Sequence, residues 1–404
     1  MKITRIRTRV VEWHGATVPP QPHFCTNPMD LLALGSDSMA GFRFYGWLLV
    51  EIFTDSGHVG IGNAALSPRL AKHTIDTYLK PLLCGKDPWD TEFLWQLMYR
   101  QTMAFGRKGI GMVAISAVDI AIWDLLGKAA GQPVFRLLGG RTKPKIPVYA
   151  SRLYSQPLEA LAAEAKSYKD QGYLAMKMRF GWGPVDGAPG MERNLELVRA
   201  LRGTLGYEID LMCDAYMGWT LDYARRMIPL LEPFRIRWLE EPVVPDDIQG
   251  YAALKALGRV PISGGEHEFT LAGFRELLEA EAVDYIQFDT NRVGGITQAR
   301  KIAALAESHG IPVIPHAGQM HNFHVVMASY NSPMAEYFPA TDVEIGNELF
   351  YFIFEGEPRA VDGKIDLNED VPGLGLRIKE EALDRFEVIE APFEPGPGPR
   401  QAIR

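Results

Sequence analysis

Five ionisable residues stand at matching places in this chain. Asp214 ends the apolar run IDLMCD, Glu240 ends IRWLE, Glu266 follows PISGG, Asp289 ends YIQFD and His316 follows VIP. The intervals between them are 26, 26, 23 and 27 residues. A strand with its following helix has about that length, so the five occupy corresponding strand ends of successive βα units. Asp214, Glu240 and Glu266 form an all-oxygen set, which suits a hard cation such as Mg²⁺ that keeps open positions for water or substrate. No HExxH pattern occurs, which disfavours zinc hydrolysis. A cation served by three carboxylates does not need His316. Asp289, one strand earlier, can accept from one ring nitrogen of His316, fixing its tautomer and leaving the other nitrogen as a general base. A single acidic residue after a strand is as readily a helix cap or a solvated loop residue; three at equal spacing favour a shared site. His321 and His324 lie past the strand end and read as structural.

The elements that must carry these residues fall into two textures. Strand patterns at Ile3–Val11 and Trp47–Thr54, then the turn and returning strand of DSGHVGIG, precede helical spacing from His73 to Gly131. The clearest helix, AISAVDIAIWDLLGKAAG, stops at Gly131. Residues 1–140 are therefore expected to form a small α+β domain. After LLGGRTKPK, seven short apolar runs (IPVYAS, LAMKMRF, IDLMCDA, IRWLEEP, VPISGGEH, DYIQFD and IPVIPHAG) alternate with helical segments. The pattern implies a parallel sheet. That many units predict an α/β fold, a (β/α) barrel of seven or eight units over residues 141–354, with its strand ends gathered at one mouth. The Pro- and Gly-rich tail, residues 355–404, is expected to return to the first domain. VGGIT, with Gly294 and Gly295, is too short for a phosphate loop and reads as a tight turn into a helix.

Composition narrows the class. The 404 residues are 47% hydrophobic and 23% charged, which fits a globular chain with a large core. A net charge of −8 argues against nucleic acid as a partner. Three cysteines without paired spacing argue against a disulfide framework and for a reducing, cytoplasmic setting. No run of eighteen unbroken apolar residues occurs, so no membrane span is expected.

The run AISAVDIAIWDLLGK resembles the first signature of the mandelate racemase and muconate lactonizing enzyme family, within the enolase superfamily, and DTNRVGGITQARKIAALAESHGI resembles its second. The order Asp214, Glu240, Glu266, Asp289, His316 is similar to the metal ligands and His–Asp pair of the mandelate racemase subgroup. The resemblance implies an N-terminal capping domain on the barrel and Mg²⁺-assisted removal of a proton next to a carboxylate. MKMRFGWGPVDGAPG, LMCDAYMGW, SGGEHEFTLAGFREL and IPVIPHAGQMHNFHVVMASYNSPMAE are most similar to sugar-acid dehydratases of the L-rhamnonate kind.

That likeness implies that Glu336, as a neutral acid, donates to the intermediate's carboxylate oxygen and that His23 touches substrate from the capping loop. It also offers Arg43 as a substrate-binding arginine, although GSDSMAGFRFYGW departs from the family pattern. Where lysine-base members carry Lys-x-Lys, this chain has Lys177-Met178-Arg179. Arginine does not lose its proton, so Lys177 and Arg179 read as steadying the substrate carboxylate or the charge of the intermediate, with an ion-paired strand end as the alternative. His267 faces away from Glu266 if strand alternation holds and stays a candidate substrate contact. The implied reaction takes the C2 proton of an aldonic acid and expels the C3 hydroxyl. Racemisation or epimerisation through the same enediolate is the rival reading, and a non-catalytic binding protein the rival from another class. The implied partners are a small sugar acid and further copies of the chain, an octamer among the options.

Overall fold

The structure is a computed structural model that describes residues 1–13, 22–32, 46–339 and 349–391. Strands β1 (Ile3–Trp13), β2 (Gly46–Thr54) and β3 (Val59–Ala64) form an antiparallel sheet, and Phe386–Ile389 near the end of the chain pairs with the other edge of β1. The tail thus completes the capping sheet, as expected. Helix Ile110–Ala130 packs across it. The helix is apolar enough to cross a membrane by composition, yet it lies inside the protein, buried along almost its whole length. Two glycines explain how close it sits. A Cβ on Gly60 would lie 2.1 Å from the Ala121 carbonyl oxygen, and one on Gly62 would lie 2.0 Å from that of Ala117. The alternation VGIG therefore turns a bare strip of strand to the helix.

The second sheet is parallel. Strands β4 (Ile146–Leu153), β5 (Ala175–Arg179), β6 (Asp210–Asp214), β7 (Leu239–Glu240), β8 (Ile262–Gly264) and β9 (Tyr285–Ile286) pair in sequence order. Val313 bridges to Ile286, and the His316 amide donates to the Phe288 carbonyl, which adds Val313–His316 as a further strand position. β10 (Ala335–Tyr337) pairs with β4 from the other side. At the seam the Ala317 amide donates to Glu336 Oε2 at 2.8 Å, and Gly318 packs on the backbone of Glu336 and Tyr337. The expected barrel forms, and β10 supplies a strand outside the seven apolar runs.

Period-two geometry sets the site on its floor. Tyr149, Ala175, Met212, Trp238, Ile314 and Met334 make one buried apolar cluster. Lys177, Asp214, Glu240, His316 and Glu336 each follow a member of that cluster by two residues. Side chains two apart on a strand share a face, so one layer plugs the barrel and the next carries the chemistry.

Asp119 and Ser116 of helix Ile110–Ala130 join the two domains. The Asp119 carboxylate accepts from the Thr297 amide at 2.9 Å and its hydroxyl at 2.6 Å, at the start of helix Gly295–Ser308, while Ser116 Oγ accepts from the Gly294 amide. Gly294 (φ 111°) and Gly295 (φ 78°) form the tight turn the sequence implied. A Cβ on Gly295 would lie 2.3 Å from Asp119 Oδ2.

Candidate active site

Lys177 is fully enclosed at the centre of the mouth. Its ammonium group pairs with Glu240 and lies 3.0 Å from Glu336 Oε1 and 3.4 Å from Asp214 Oδ2. Burial disfavours its charge, but Glu240 and Glu336 outweigh burial and hold its pKa well above the usual lysine value. The other oxygen of Glu240 accepts from Trp238 Nε1 at 3.0 Å and Gln287 Nε2 at 2.8 Å. Burial carries Glu240 up to about 8 despite Lys177. The resemblance implies a neutral Glu336. Burial favours that form, but in the metal-free site Lys177 and then His316 bring its pKa below the usual range. The buried donor here is Lys177.

Glu266 lies between two imidazoles. His316 Nε2 is 3.5 Å from its Oε2, and His267 Nε2 is 3.7 Å from its Oε1. Each histidine is held through Nδ1 by a buried carboxylate, His316 by Asp289 at 2.8 Å and His267 by Glu241 at 2.7 Å. His267 therefore does not face away from Glu266. The strand ends at Gly264 and Gly265 has φ 121°, so alternation does not reach it. Burial pushes the His316 pKa down, and Glu266, with Asp289 and Glu336, carries it up to about 9. The same contacts lower the Glu266 carboxyl, against burial.

The charge inventory tests whether a cation fits. Among the described residues, Asp214, Glu240, Glu241, Glu266, Asp289 and Glu336 are buried here beside the fixed cations Lys177, Arg179 and Arg292. Buried charge without a counter-charge is costly, and Glu241 Oε1 has no hydrogen-bond partner. An all-oxygen donor set with surplus negative charge suits a divalent hard cation. Among the described residues the tightest carboxylate–imidazole group is Glu241, Glu266 and His267, with one ligand atom of each within 4.8 Å of the others. Lys177 stands among Asp214, Glu240 and Glu336.

The remaining expectations divide. Arg179 lies at the mouth, with Nε 3.7 Å from Asp214 Oδ2, its guanidinium 4.6 Å from the Tyr154 ring centroid, and Nη1 buried without a hydrogen-bond partner. His23 is on the rim. Its ring stacks on Trp182 and its Nδ1 bonds the Gly181 carbonyl, beside a groove of about 1160 Å³. Arg43 lies outside the described residues. His321 and His324 are both buried on helix Met320–Ala328. His324 is structural, bound to the Phe135 amide and the Leu374 carbonyl; neither ring nitrogen of His321 has a hydrogen-bond partner. Spacing missed Glu241 and Arg292. Glu241 directly follows Glu240, and Arg292 stands three residues after Asp289, a separation at which a turn brings side chains together.

Known proteins align with both parts. Residues 36–139 match the mandelate racemase / muconate lactonizing enzyme N-terminal domain, and residues 160–382 the enolase C-terminal domain-like family. L-rhamnonate dehydratase of Saccharopolyspora erythraea is 36% identical across 94% of this chain and 97% of its own length. The solved rhamnonate dehydratase from Gibberella zeae complexed with Mg is 31% identical, with a TM-score of 0.82 over 95% of this chain and 96% of that one. L-talarate dehydratase from Polaromonas sp. JS666, complexed with Mg and L-glucarate, is 29% identical, with a TM-score of 0.75 over 96% and 99%. The chain belongs to the mandelate racemase / muconate lactonizing enzyme family of the enolase superfamily.

Proposed function

From that membership we propose that the protein is a Mg²⁺-dependent sugar-acid dehydratase. Its substrate is an aldonic acid of the L-rhamnonate or L-lyxonate type, which loses the C2 proton and the C3 hydroxyl to leave a 2-keto-3-deoxy acid. The observation that carries this reading is the His316–Asp289 pair. Nδ1 is pinned at 2.8 Å and Nε2 faces the mouth beside Glu266, on the face shared by Asp214 and Glu240. The named relatives, dehydratases of sugar acids, support the same class.

Asp214, Glu240 and Glu266 would hold the Mg²⁺. When bound, it offsets the charge that gathers on the substrate carboxylate once the C2 proton leaves, a contribution of several kcal/mol. His316 Nε2 takes the C2 proton, and Asp289 holds the ring in the tautomer that leaves Nε2 unprotonated beforehand. The resulting imidazolium returns that proton to the departing C3 hydroxyl. Lys177 places a fixed positive charge beside the developing enediolate, and Arg179 offers Nη1 to a substrate oxygen. His23 reaches the substrate side of the rim, and His267 stands ready to touch it next to Glu266.

Racemisation needs a second base opposite His316. In the metal-free site Glu240 and Glu336 favour the charged form of Lys177, and arginine does not deprotonate, which supports elimination over racemisation. An assembly of several identical copies belongs to the same reading and is read out by light scattering. The deciding experiment incubates purified protein and Mg²⁺ with a panel of aldonic and aldaric acids, trapping 2-keto-3-deoxy products as semicarbazones. Product from L-rhamnonate, L-lyxonate or a near stereoisomer is the expected result. Exchange of the C2 proton with deuterated solvent without product would replace dehydration by racemisation or epimerisation, and silence in both would sink the reading.

A further inference from the structure

Arg292 touches both Asp289 and Glu266, beside the direct contact of His316 with Glu266. Arg292 closes the turn after Asp289, its amide donating to the Asp289 carbonyl at 2.8 Å. Its side chain, almost wholly buried, folds back over the turn. Nε lies 3.1 Å from Asp289 Oδ2, while Nη1 donates to the Glu266 carbonyl at 2.8 Å and lies 3.3 Å from Glu266 Oε1. Asp289 Oδ2 is the oxygen that also meets His316 Nδ1, and Oδ1 accepts from the Asn291 amide at 2.7 Å. Three groups therefore fix the Asp289 carboxylate, and two of them, His316 and Arg292, also reach Glu266.

We infer that Arg292 is a positioning residue that couples cation binding at Glu266 to the orientation of the His316–Asp289 pair. The inference rests on the reading of Glu266 as a cation ligand. A guanidinium is a rigid, permanently charged fork, so its position is a compromise between the two carboxylates it faces. A cation on Glu266 draws Oε1 away from Nη1 and leaves the fork to Asp289, which tightens the hold on His316. Remove the Asp289 charge, and the fork closes on Glu266 Oε1 and competes with the cation. Coupling of this kind is reciprocal, and effects of about 5- to 150-fold are usual.

The test is a double-mutant cycle on the full-length protein, with Mg²⁺ affinity measured by calorimetry as the readout and thermal melting as the control for folding. Asp289→Asn is expected to weaken Mg²⁺ binding about 5- to 20-fold where Arg292 is present. In an Arg292→Met background the same change is expected to shift affinity less than about twofold. A purely structural arginine would lower the melting temperature without making the two substitutions interact. If Arg292→Met does not fold, Arg292→Lys takes its place; its single ammonium reaches only one carboxylate, so the effect of Asp289→Asn should fall by at least half. An equal effect of Asp289→Asn in both backgrounds overturns the coupling while leaving the cation reading intact. A wild-type protein that binds no Mg²⁺ overturns both.

Discussion

In the proposed reaction, His316 is the residue on which most of the chemistry turns. Glu266 on one side and Asp289 on the other outweigh burial and carry its pKa up to about 9 in the metal-free protein. The folded value lies above the ordinary 6.5, so protonated His316 contributes stability that is complete below about 6.5 and is lost as pH rises towards 9. A cation on Glu266 removes the larger attraction. Adding Mg²⁺ to metal-free protein in weak buffer at pH 8 should therefore release protons, and chelation should take them up. No change in pH on metal addition would contradict that link. Replacing His316 by Asn should leave the fold and Mg²⁺ binding in place and cut C2-proton exchange by about 10²- to 10⁴-fold, the range for loss of a general base. Retained exchange would move the base elsewhere. Equal spacing made these five strand-end residues legible in the sequence. Arg292 and Glu241 were not, because each depends on how a short loop folds back. Several of those loops carry non-glycine residues at positive φ: Tyr216 (42°), Met217 (59°), Glu241 (39°) and Ala317 (66°), each within three residues of Asp214, Glu240 or His316. Such conformations cost about 1–3 kcal/mol and leave no trace in residue type.

Elements were legible where hydrophobic period and length agreed. The seven apolar runs became barrel strand positions; β10 did not stand out because only three of its residues, Ala335–Tyr337, pair in the sheet. β3 shows how packing can override propensity. Two glycines weaken an isolated strand, yet here they let helix Ile110–Ala130 approach, and side chains cover its open edge. Asp124 Oδ2 accepts from the Ile61 amide at 2.7 Å, Lys128 donates to the Val59 carbonyl at 2.9 Å, and Asn291 donates to that of Asn63. An edge satisfied this way cannot recruit another strand. Gly62→Ala puts a methyl group 2.0 Å from the Ala117 carbonyl oxygen, on backbone that cannot yield. It should destabilise the protein by about 2–3 kcal/mol, as overpacking does. Chemical denaturation measures this directly, and a wild-type midpoint would mean that the strand and helix are not so closely apposed.

At the scale of the molecule, the chain folds the cap from both of its ends and the barrel from its middle. Phe386–Ile389 pairs with β1 from Trp13↔Phe386 to Val10↔Ile389. Arg7 bonds Glu390 through two nitrogens at 2.8 Å, and the buried Arg9 bonds Glu380 at 2.7 Å, leaving Glu51 at 3.0 Å as its other ion-pair partner. A chain ending at residue 379 would lose all three contacts. It would leave Arg9 under-compensated, a fault worth about 3–5 kcal/mol in a fully buried pair and less at this partly exposed partner. It would also bare the outer edge of β1 to other chains. Such a chain should aggregate or melt well below the full-length protein, and limited proteolysis should cut first within residues 1–64. Among the described residues no barrel strand pairs with residues 380–404, so loss of the cap should appear as lost substrate selection before lost secondary structure, His23 following β1 in the sequence. A truncated protein that stays monodisperse, with the full-length melting temperature and protease resistance, would show that the tail decorates the cap rather than completing it.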